Sequence, residues 1–257
     1  MLPRERIAAA VRAGAHGGEP AVVAFITAGY PRREQFREHL TAVAAGADVV
    51  EIGVPFTDPM ADGMTIQRSS HEALRQGVNL RWILDELNAL PRLRTPLLLM
   101  SYLNPLLAYG LDRLPQAARA AGVSGCIVPD LPYEEADDLK TALNEANIAL
   151  VQMVTPVTED ARLEMLCAGA QGFIYAVTMT GTTGKAVDVP DEALAYMQRV
   201  KRAAAIPVCA GFGIRSRAQV ERLGAHVDGV IVGSALVEIL ERAEDPQPFL
   251  RSLMGET

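Results

Sequence analysis

Two carboxylates eleven residues apart, Glu51 and Asp62, are the most chemically suggestive feature of this sequence. Glu51 lies inside an apolar run, Asp48-Val-Val-Glu-Ile-Gly53, which reads as a β-strand buried on both faces. Burial penalises the ionised form, so this carboxyl tends toward a raised pKa and requires either a Lys or Arg partner or a chemical role. Few of the other apolar runs carry such a cation, which favours a role. Asp62 sits in the following loop, Val54-Pro-Phe-Thr-Asp-Pro-Met-Ala-Asp-Gly63, together with Asp58. An Asp before Gly is, taken alone, usually a turn residue. The pairing gives it weight, because a strand-end carboxylate and a loop carboxylate can face one pocket. Different surroundings then push their pKa values apart and leave one as acid and the other as base.

Glycine clusters form the second set. Gly211-Phe-Gly213-Ile-Arg-Ser and Gly233-Ser234-Ala-Leu each follow an apolar run. Backbone N–H groups in such turns, with the N-terminus of a short helix, can hold a phosphate without any basic side chain. Ser234 can cap that helix and donate to the anion. The same glycines also suit tight turns that bind nothing. Gly181-Thr-Thr-Gly184-Lys185 resembles a P-loop only superficially, since the first glycine of the motif is missing and Ala186 replaces its Ser/Thr. Nucleotide binding there is rejected; residues 178–187 read instead as a third wall of the site or a mobile lid. Tyr102, Asp130 and Tyr175 fall at or near the ends of apolar runs and read equally as polar core residues. Phe25, Met100, Ile127 and Phe212 read as packing or as an apolar slot for a flat ring.

The elements that must position these residues follow one rhythm. Short apolar runs at 21–27, 48–53, 96–101, 123–128, 148–154, 171–177, 206–211 and 227–232 alternate with amphipathic stretches of helical period. This pattern predicts an α/β fold, a (β/α)8 TIM barrel, with an extra N-terminal helix at 3–14 and a short extra helix after the eighth strand. Eight units favour a barrel over a doubly wound sheet, and the first βα turn lacks GxGxxG. In a barrel the working site forms at the C-terminal ends of the strands, where all the residues above fall. Asn79 is placed to cap the helix that follows it, and Pro190-Asp-Glu to open another. Gly46, Gly122, Gly169 and Gly224 recur at helix-to-strand junctions and are expected in the left-handed conformation. No Pro/Gly/Ser linker divides the chain, which predicts one domain over 1–257.

The 257 residues carry a formal net charge of −7, with 49% hydrophobic and 21% charged residues. An acidic chain without a Lys/Arg cluster is a poor partner for nucleic acid or an anionic membrane. Cys126, Cys167 and Cys209 are far apart in apolar segments and read as reduced core thiols, hence a cytoplasmic protein. The four scattered histidines assemble no metal site. The charged first residues do not suit a signal peptide, and no apolar run approaches the ~20 residues of a membrane span.

The segments Phe25-Ile-Thr-Ala-Gly-Tyr-Pro31, Glu51 through Gly63, Thr65-Ile-Gln67, Val128-Pro-Asp-Leu-Pro132, Gly211-Phe-Gly-Ile214 and Gly229-Val-Ile-Val-Gly-Ser-Ala235 together resemble the tryptophan synthase alpha chain family, in order and over nearly the whole chain. The resemblance implies retro-aldol cleavage of indole-3-glycerol phosphate to indole and glyceraldehyde 3-phosphate. It implies that Asp62 takes the indole N–H proton or stabilises the charge there. Glu51 delivers a proton to indole C3 and assists at the glycerol hydroxyl, and Tyr175 supports the site. Gly184, Gly213, Gly233 and Ser234 match phosphate contacts, and Thr183 matches a lid residue that closes on Asp62. Asn104 and Pro132 match positions facing a beta chain, in an expected α2β2 tetramer. No cofactor is implied in this chain; pyridoxal phosphate belongs to the beta partner. Met64 stands where the family usually has Pro, and Gly181-Thr-Thr-Gly184 where it usually has Gly-Val-Thr-Gly. The alternatives are a free-standing lyase that releases indole, a subunit that mainly activates a partner, and another barrel enzyme acting on a phosphorylated sugar.

Overall fold

In the computed structural model, which describes residues 1–178, 189–211 and 213–255, the apolar runs become parallel strands. They are β1 Ala21–Thr27, β2 Val49–Gly53, β3 Leu97–Met100, β4 Val123–Ile127, β5 Ala149–Leu150, β6 Gln152–Val154, β7 Ile174–Val177, β8 Val208–Gly211 and β9 Gly229–Val232. Helix α1 (Pro3–Gly14) precedes them, and α2 (Phe36–Ala45), α3 (Met64–Arg75), α4 (Leu80–Asn88), α5 (Leu103–Tyr109) and α6 (Leu114–Ala120) cover the first half. The second half carries α7 (Asp137–Glu145), α8 (Asp160–Ala168), α9 (Asp191–Ala203), α10 (Arg217–Gly224), α11 (Ser234–Glu241) and α12 (Pro246–Leu253).

The hydrogen-bonded order is β5-β4-β3-β2-β1-β9-β8-β7-β6. Its two ends, β5 and β6, are separated in sequence by Val151 alone, so the sheet closes on itself through the chain. The run expected as one strand at 148–154 is thus broken in two. Val151 N–H still reaches the Cys126 carbonyl at 2.9 Å, but β6 pairs with β7. The other seven runs each contain an observed strand. Both extra helices are present, α1 at the start and α11 directly after β9.

Alternation along the strands sorts the core into two layers. Val22, Ala24 and Ile26 of β1, with Val50 and Ile52 of β2, face the helices. Ala21, Val23, Val49, Leu98, Ile127, Phe173, Cys209 and Ile231 fill the barrel interior. Helix α1 closes its N-terminal mouth: Ile7 and Val11 are fully buried and belong to the interior layer. A side chain on Gly125 or Gly172 would collide with Ile7, the first at 2.9 Å and the second at 3.3 Å. All three cysteines are buried and free.

Local signals hold in part. Asn79 caps α4 by accepting the Trp82 N–H at 3.0 Å, and Pro190 leads into α9. Of the four junction glycines only Gly122 is left-handed, with φ at 83°. Gly46, Gly169 and Gly224 are there for closeness, not handedness. A Cβ at Gly224 would lie 2.9 Å from the Gly18 carbonyl, at Gly46 3.1 Å from Leu250, and at Gly169 3.2 Å from the Tyr133 hydroxyl.

Because Ile7 is fully buried in the interior layer and packed against Gly125 and Gly172, Ile7→Ala should leave a cavity and destabilise the protein by roughly 2–5 kcal/mol in urea denaturation. A loss well below that range would mean that α1 merely rests on the barrel.

Candidate active site

Glu51 inherits its position from β2. Val50 and Ile52 point to the helices, so Val49 and Glu51 point inward. The residue is fully buried, and neither carboxylate oxygen has a hydrogen-bond partner among the described residues. Among the described residues, no Lys or Arg makes it a structural ion pair. Desolvation alone pushes its pKa up to about 8, so at neutral pH it carries a proton.

Asp62 reaches the same end of the barrel from the loop before α3. The Tyr102 hydroxyl donates to Asp62 Oδ2 at 3.1 Å and accepts the Ala61 N–H at 2.9 Å. The Tyr102 ring is stacked on Phe56 at 5.2 Å, which fixes the phenol from behind. Gln67 Nε2 donates to the Asp62 carbonyl at 2.8 Å and pins the backbone. Burial raises the Asp62 carboxyl and the Tyr102 hydrogen bond opposes it, leaving the group at about 6, so it is mostly ionised at neutral pH. Met64, in place of a usual Pro, is the first residue of α3, where a proline is favoured and any residue is allowed; its side chain is exposed.

Tyr175 on β7 lies within the field of both carboxylates. Burial first, then Glu51 and Asp62, raise its phenol well above the ordinary value. Its ring rests on Gly211, where a Cβ would lie 2.7 Å from it; the Phe25 ring likewise occupies the space a Gly53 side chain would need, at 2.4 Å. These two strand glycines make room for two flat rings.

Phe25, Asp62, Met100 and Tyr102 line one pocket with Thr27, Gly53 and Ile66. Asp62 and Met100 also line an adjoining cavity of about 460 Å³ that takes in Tyr175, Met153 and Pro132. Ile127 lies in the interior layer beside Met100 and Tyr175. Gly213, Gly233 and Ser234 line neither cavity. They stand at the neighbouring corner, where a Cβ on Gly233 would sit 3.7 Å from Phe25, and Gly213 has φ at 66° with open space around it. The cap of α11 is Gly233 and not Ser234, which is the first helical residue; Gly233 leaves the first N–H groups without a side-chain acceptor. Thr183, Gly184 and Phe212, and the expected lid from 179 onward, lie outside the described residues. Asn104 and Pro132 are exposed.

Two candidates resolve as structural. Asp130 accepts the Leu103 N–H at 2.9 Å and so caps α5 from the next loop. Asp58 is exposed and bonded to Thr57. Sequence reasoning missed Gln67 as a brace and Tyr102 as the partner of Asp62; nothing in spacing links positions forty residues apart. Among the described residues, no group of His, Cys, Asp and Glu is arranged to hold a metal, and no helix is long and apolar enough to cross a membrane.

Tyr102→Phe removes a donor to the charged form of Asp62. The Asp62 pKa should therefore rise further above about 6, read by carbon NMR of labelled side-chain carboxyls; an unchanged value would dismiss the bond as incidental. Glu51 gives a second pH signature. Its folded pKa lies above its unfolded one, so wild-type stability is intact below the unfolded value of 4.5 and is lost progressively up to about 8. Glu51→Gln should accordingly gain stability relative to wild type as pH rises through that window, measured by denaturation at several pH values. A gap independent of pH would show that the carboxyl is not desolvated.

The tryptophan synthase alpha chain family model matches residues 12–254. The tryptophan synthase alpha chain of Nitratidesulfovibrio vulgaris strain Hildenborough is 43% identical over 253 residues, covering 98% of each chain. That of Xanthomonas campestris pv. campestris strain B100 is 44% identical over 245 residues, covering 94% of this chain and 90% of the relative. Among solved structures, Mycobacterium tuberculosis tryptophan synthase superposes with a TM-score of 0.89 at 34% identity, covering 97% of each chain. The tryptophan synthase a2b2 complex of Pyrococcus furiosus gives 0.85 at 34% identity, over 92% of this chain and 98% of that one. Sequence and fold agree from α1 to α12: the chain belongs to the tryptophan synthase alpha chain family.

Proposed function

We propose that this enzyme of tryptophan biosynthesis cleaves indole-3-glycerol phosphate to indole and glyceraldehyde 3-phosphate. The observation that carries the reading is the divergence of two carboxyls at one barrel mouth. Glu51, desolvated to about 8, keeps its proton, while Asp62, near 6 under the Tyr102 hydroxyl, gives its proton up. An acid and a base held apart in pKa are what the cleavage needs. Glu51 protonates indole C3, and the Asp62 carboxylate stabilises the positive charge that develops at the ring N–H. The bond from C3 to the glycerol carbon then breaks, its electrons neutralise the iminium-like ring to give indole, and the hydroxyl on the departing carbon loses its proton to Glu51 to become the aldehyde; where Asp62 instead takes the N–H proton in the first step, it returns that proton to the ring nitrogen as the bond breaks. Phe25, Met100, Tyr102 and Ile127 flank the ring, with Tyr175 against the carboxyls. The phosphate is held by N–H groups at Gly213, Gly233 and Ser234, at the positive end of α11; Gly184 and the ring contacts Thr183 and Phe212 join them in this reading.

The residues of this chain supply both proton transfers, so the reading needs no cofactor here. Exposed Asn104 and Pro132 are assigned to a beta-chain interface in an α2β2 tetramer, with pyridoxal phosphate in the beta chain. The relationship to a chain of the Pyrococcus furiosus a2b2 complex supports that assignment.

Glu51→Gln and Asp62→Asn should each lower single-turnover indole release by roughly 10²–10⁴-fold, the range of a lost acid–base group. Ligand affinity should change far less, and the two losses should not add, because both serve one push–pull step. Near wild-type turnover in Asp62→Asn would reduce the chain to a generic phosphate-binding barrel. Measuring turnover with and without a beta chain separates a free-standing lyase from an obligate subunit.

A further inference from the structure

Both working corners of the barrel mouth are built on glycine. Gly63 caps α3 with no side-chain bond, directly after Asp62. Gly213 is left-handed in open space, and Gly233 caps α11 with no side-chain bond. Backbone of this kind is easily displaced, so some other contact must fix one corner against the other.

A single carboxylate, carried by α11, links the segments that follow the other two glycines. Glu238 Oε1 accepts from Thr65 Oγ1 at 3.1 Å, and Thr65 is in the first turn of α3, three residues after Asp62. Both Glu238 oxygens accept from the Arg215 guanidinium at 2.8 Å, and Arg215 is two residues after Gly213. Glu238 itself lies on α11, four residues after Ser234. The pair is half-buried, with side chains 25% and 28% exposed, and a bidentate fork of this type fixes direction as well as distance. One turn on, Arg68 of α3 meets Glu241 of α11 at 2.6 Å. Thr65 and Arg68 share one face of their helix, as do Glu238 and Glu241 of theirs, so the two helices are joined along a seam. Ile66 packs with Phe25, Tyr30 and Val237 and lines the same pocket as Phe25 and Asp62. The outer Arg68–Glu241 rung is exposed and contributes little by itself; the Glu238 node is the one that ties three βα units together.

We propose that Glu238 is a positioning residue of the active site, which holds the Asp62 loop in fixed register with the phosphate corner so that a substrate anchored by its phosphate meets Asp62 in reacting geometry. This rests on the lyase reading above. Arg215 is thereby an internal strut and not a ligand of the phosphate, which is left to neutral N–H donors.

The test is indole release from indole-3-glycerol phosphate by the full chain carrying Glu238→Ala, Glu238→Gln or Thr65→Val. A displacement between the corners misaligns reacting atoms without removing a binding group, so Glu238→Ala should lower kcat about tenfold while KM moves less than about threefold. The affinity for inorganic phosphate, measured calorimetrically, should stay within the same threefold. Glu238→Gln keeps an oxygen for Thr65 and loses the charge for Arg215, and should recover part of the rate. Thr65→Val, which removes one hydroxyl and keeps the fold even if Glu238→Ala does not, should lower kcat by about threefold with the same constancy of KM, and should add nothing on top of Glu238→Ala. Wild-type kcat in folded Glu238→Ala or Thr65→Val would make the node a stability element only. A change confined to KM and phosphate affinity would make Arg215 an anion ligand and overturn the proposal. Failure of the lyase reading looks different: no indole from wild type, or full turnover in Asp62→Asn, and the positioning role falls with it.

Discussion

Removing the Glu51 carboxyl from water without giving it a partner among the described residues is the constraint on which the rest of the barrel mouth depends. A strand interior offers no room to evade that cost. The period of two that sends Val50 and Ile52 to the helices sends Glu51 inward, and the neighbouring strands supply Phe25 and Leu98 at its level, not a cation. The group meets the cost by keeping its proton, at the expense of stability at neutral pH and above. What surrounds it then makes chemical sense: a second carboxyl at the same end of the barrel, less buried and hydrogen-bonded, a phenol in the field of both whose pKa is raised, and glycines that let aromatic rings lie against the strands.

The two mouths of the barrel divide the work. At the N-terminal mouth α1 inserts Ile7 and Val11, and the demands are volume and shape. At the C-terminal mouth several strands end in, or run directly into, glycine or a polar residue, as at Thr27, Gly53, Ser101, Thr155, Gly211 and Gly233, and the demands are direction and charge. The same closed sheet serves both because its backbone hydrogen bonds are satisfied between strands, so the loops at one end can be built for a ligand without loosening the other.

The amino-acid sequence carries most of the frame and a good part of the chemistry. Alternating runs and helical stretches are local patterns, and so is a carboxylate inside an apolar run; both translate directly into the barrel and into buried Glu51. Caps made within a few residues, such as Asn79, are equally local. Relations between distant segments are not. Tyr102 reads as a pocket wall, and only the folded chain reveals its bond to Asp62. Asp130 reads as a candidate for chemistry, yet it caps α5. Glu238 carries no signal at all, because its partners come from two other βα units. Glycine misleads in a different way: at Gly46, Gly169 and Gly224 the sequence suggests a backbone torsion, whereas the cause is the neighbour that leaves no space for a side chain.

The break at Val151 has a bearing on what the barrel can become. Beyond that residue β6 is bonded on one side only, and the large cavity passes there from interior residues such as Met153 and Tyr175 to Val154 and Leu166 of the outer layer. Elsewhere the wall is a ladder of backbone bonds, which fixes its circumference. At this seam the wall is side chains, and side chains can be exchanged one at a time. Selection for a bulkier ligand therefore has a natural place to act: an expansion joint in the barrel, where the bore can widen without the hoop being cut.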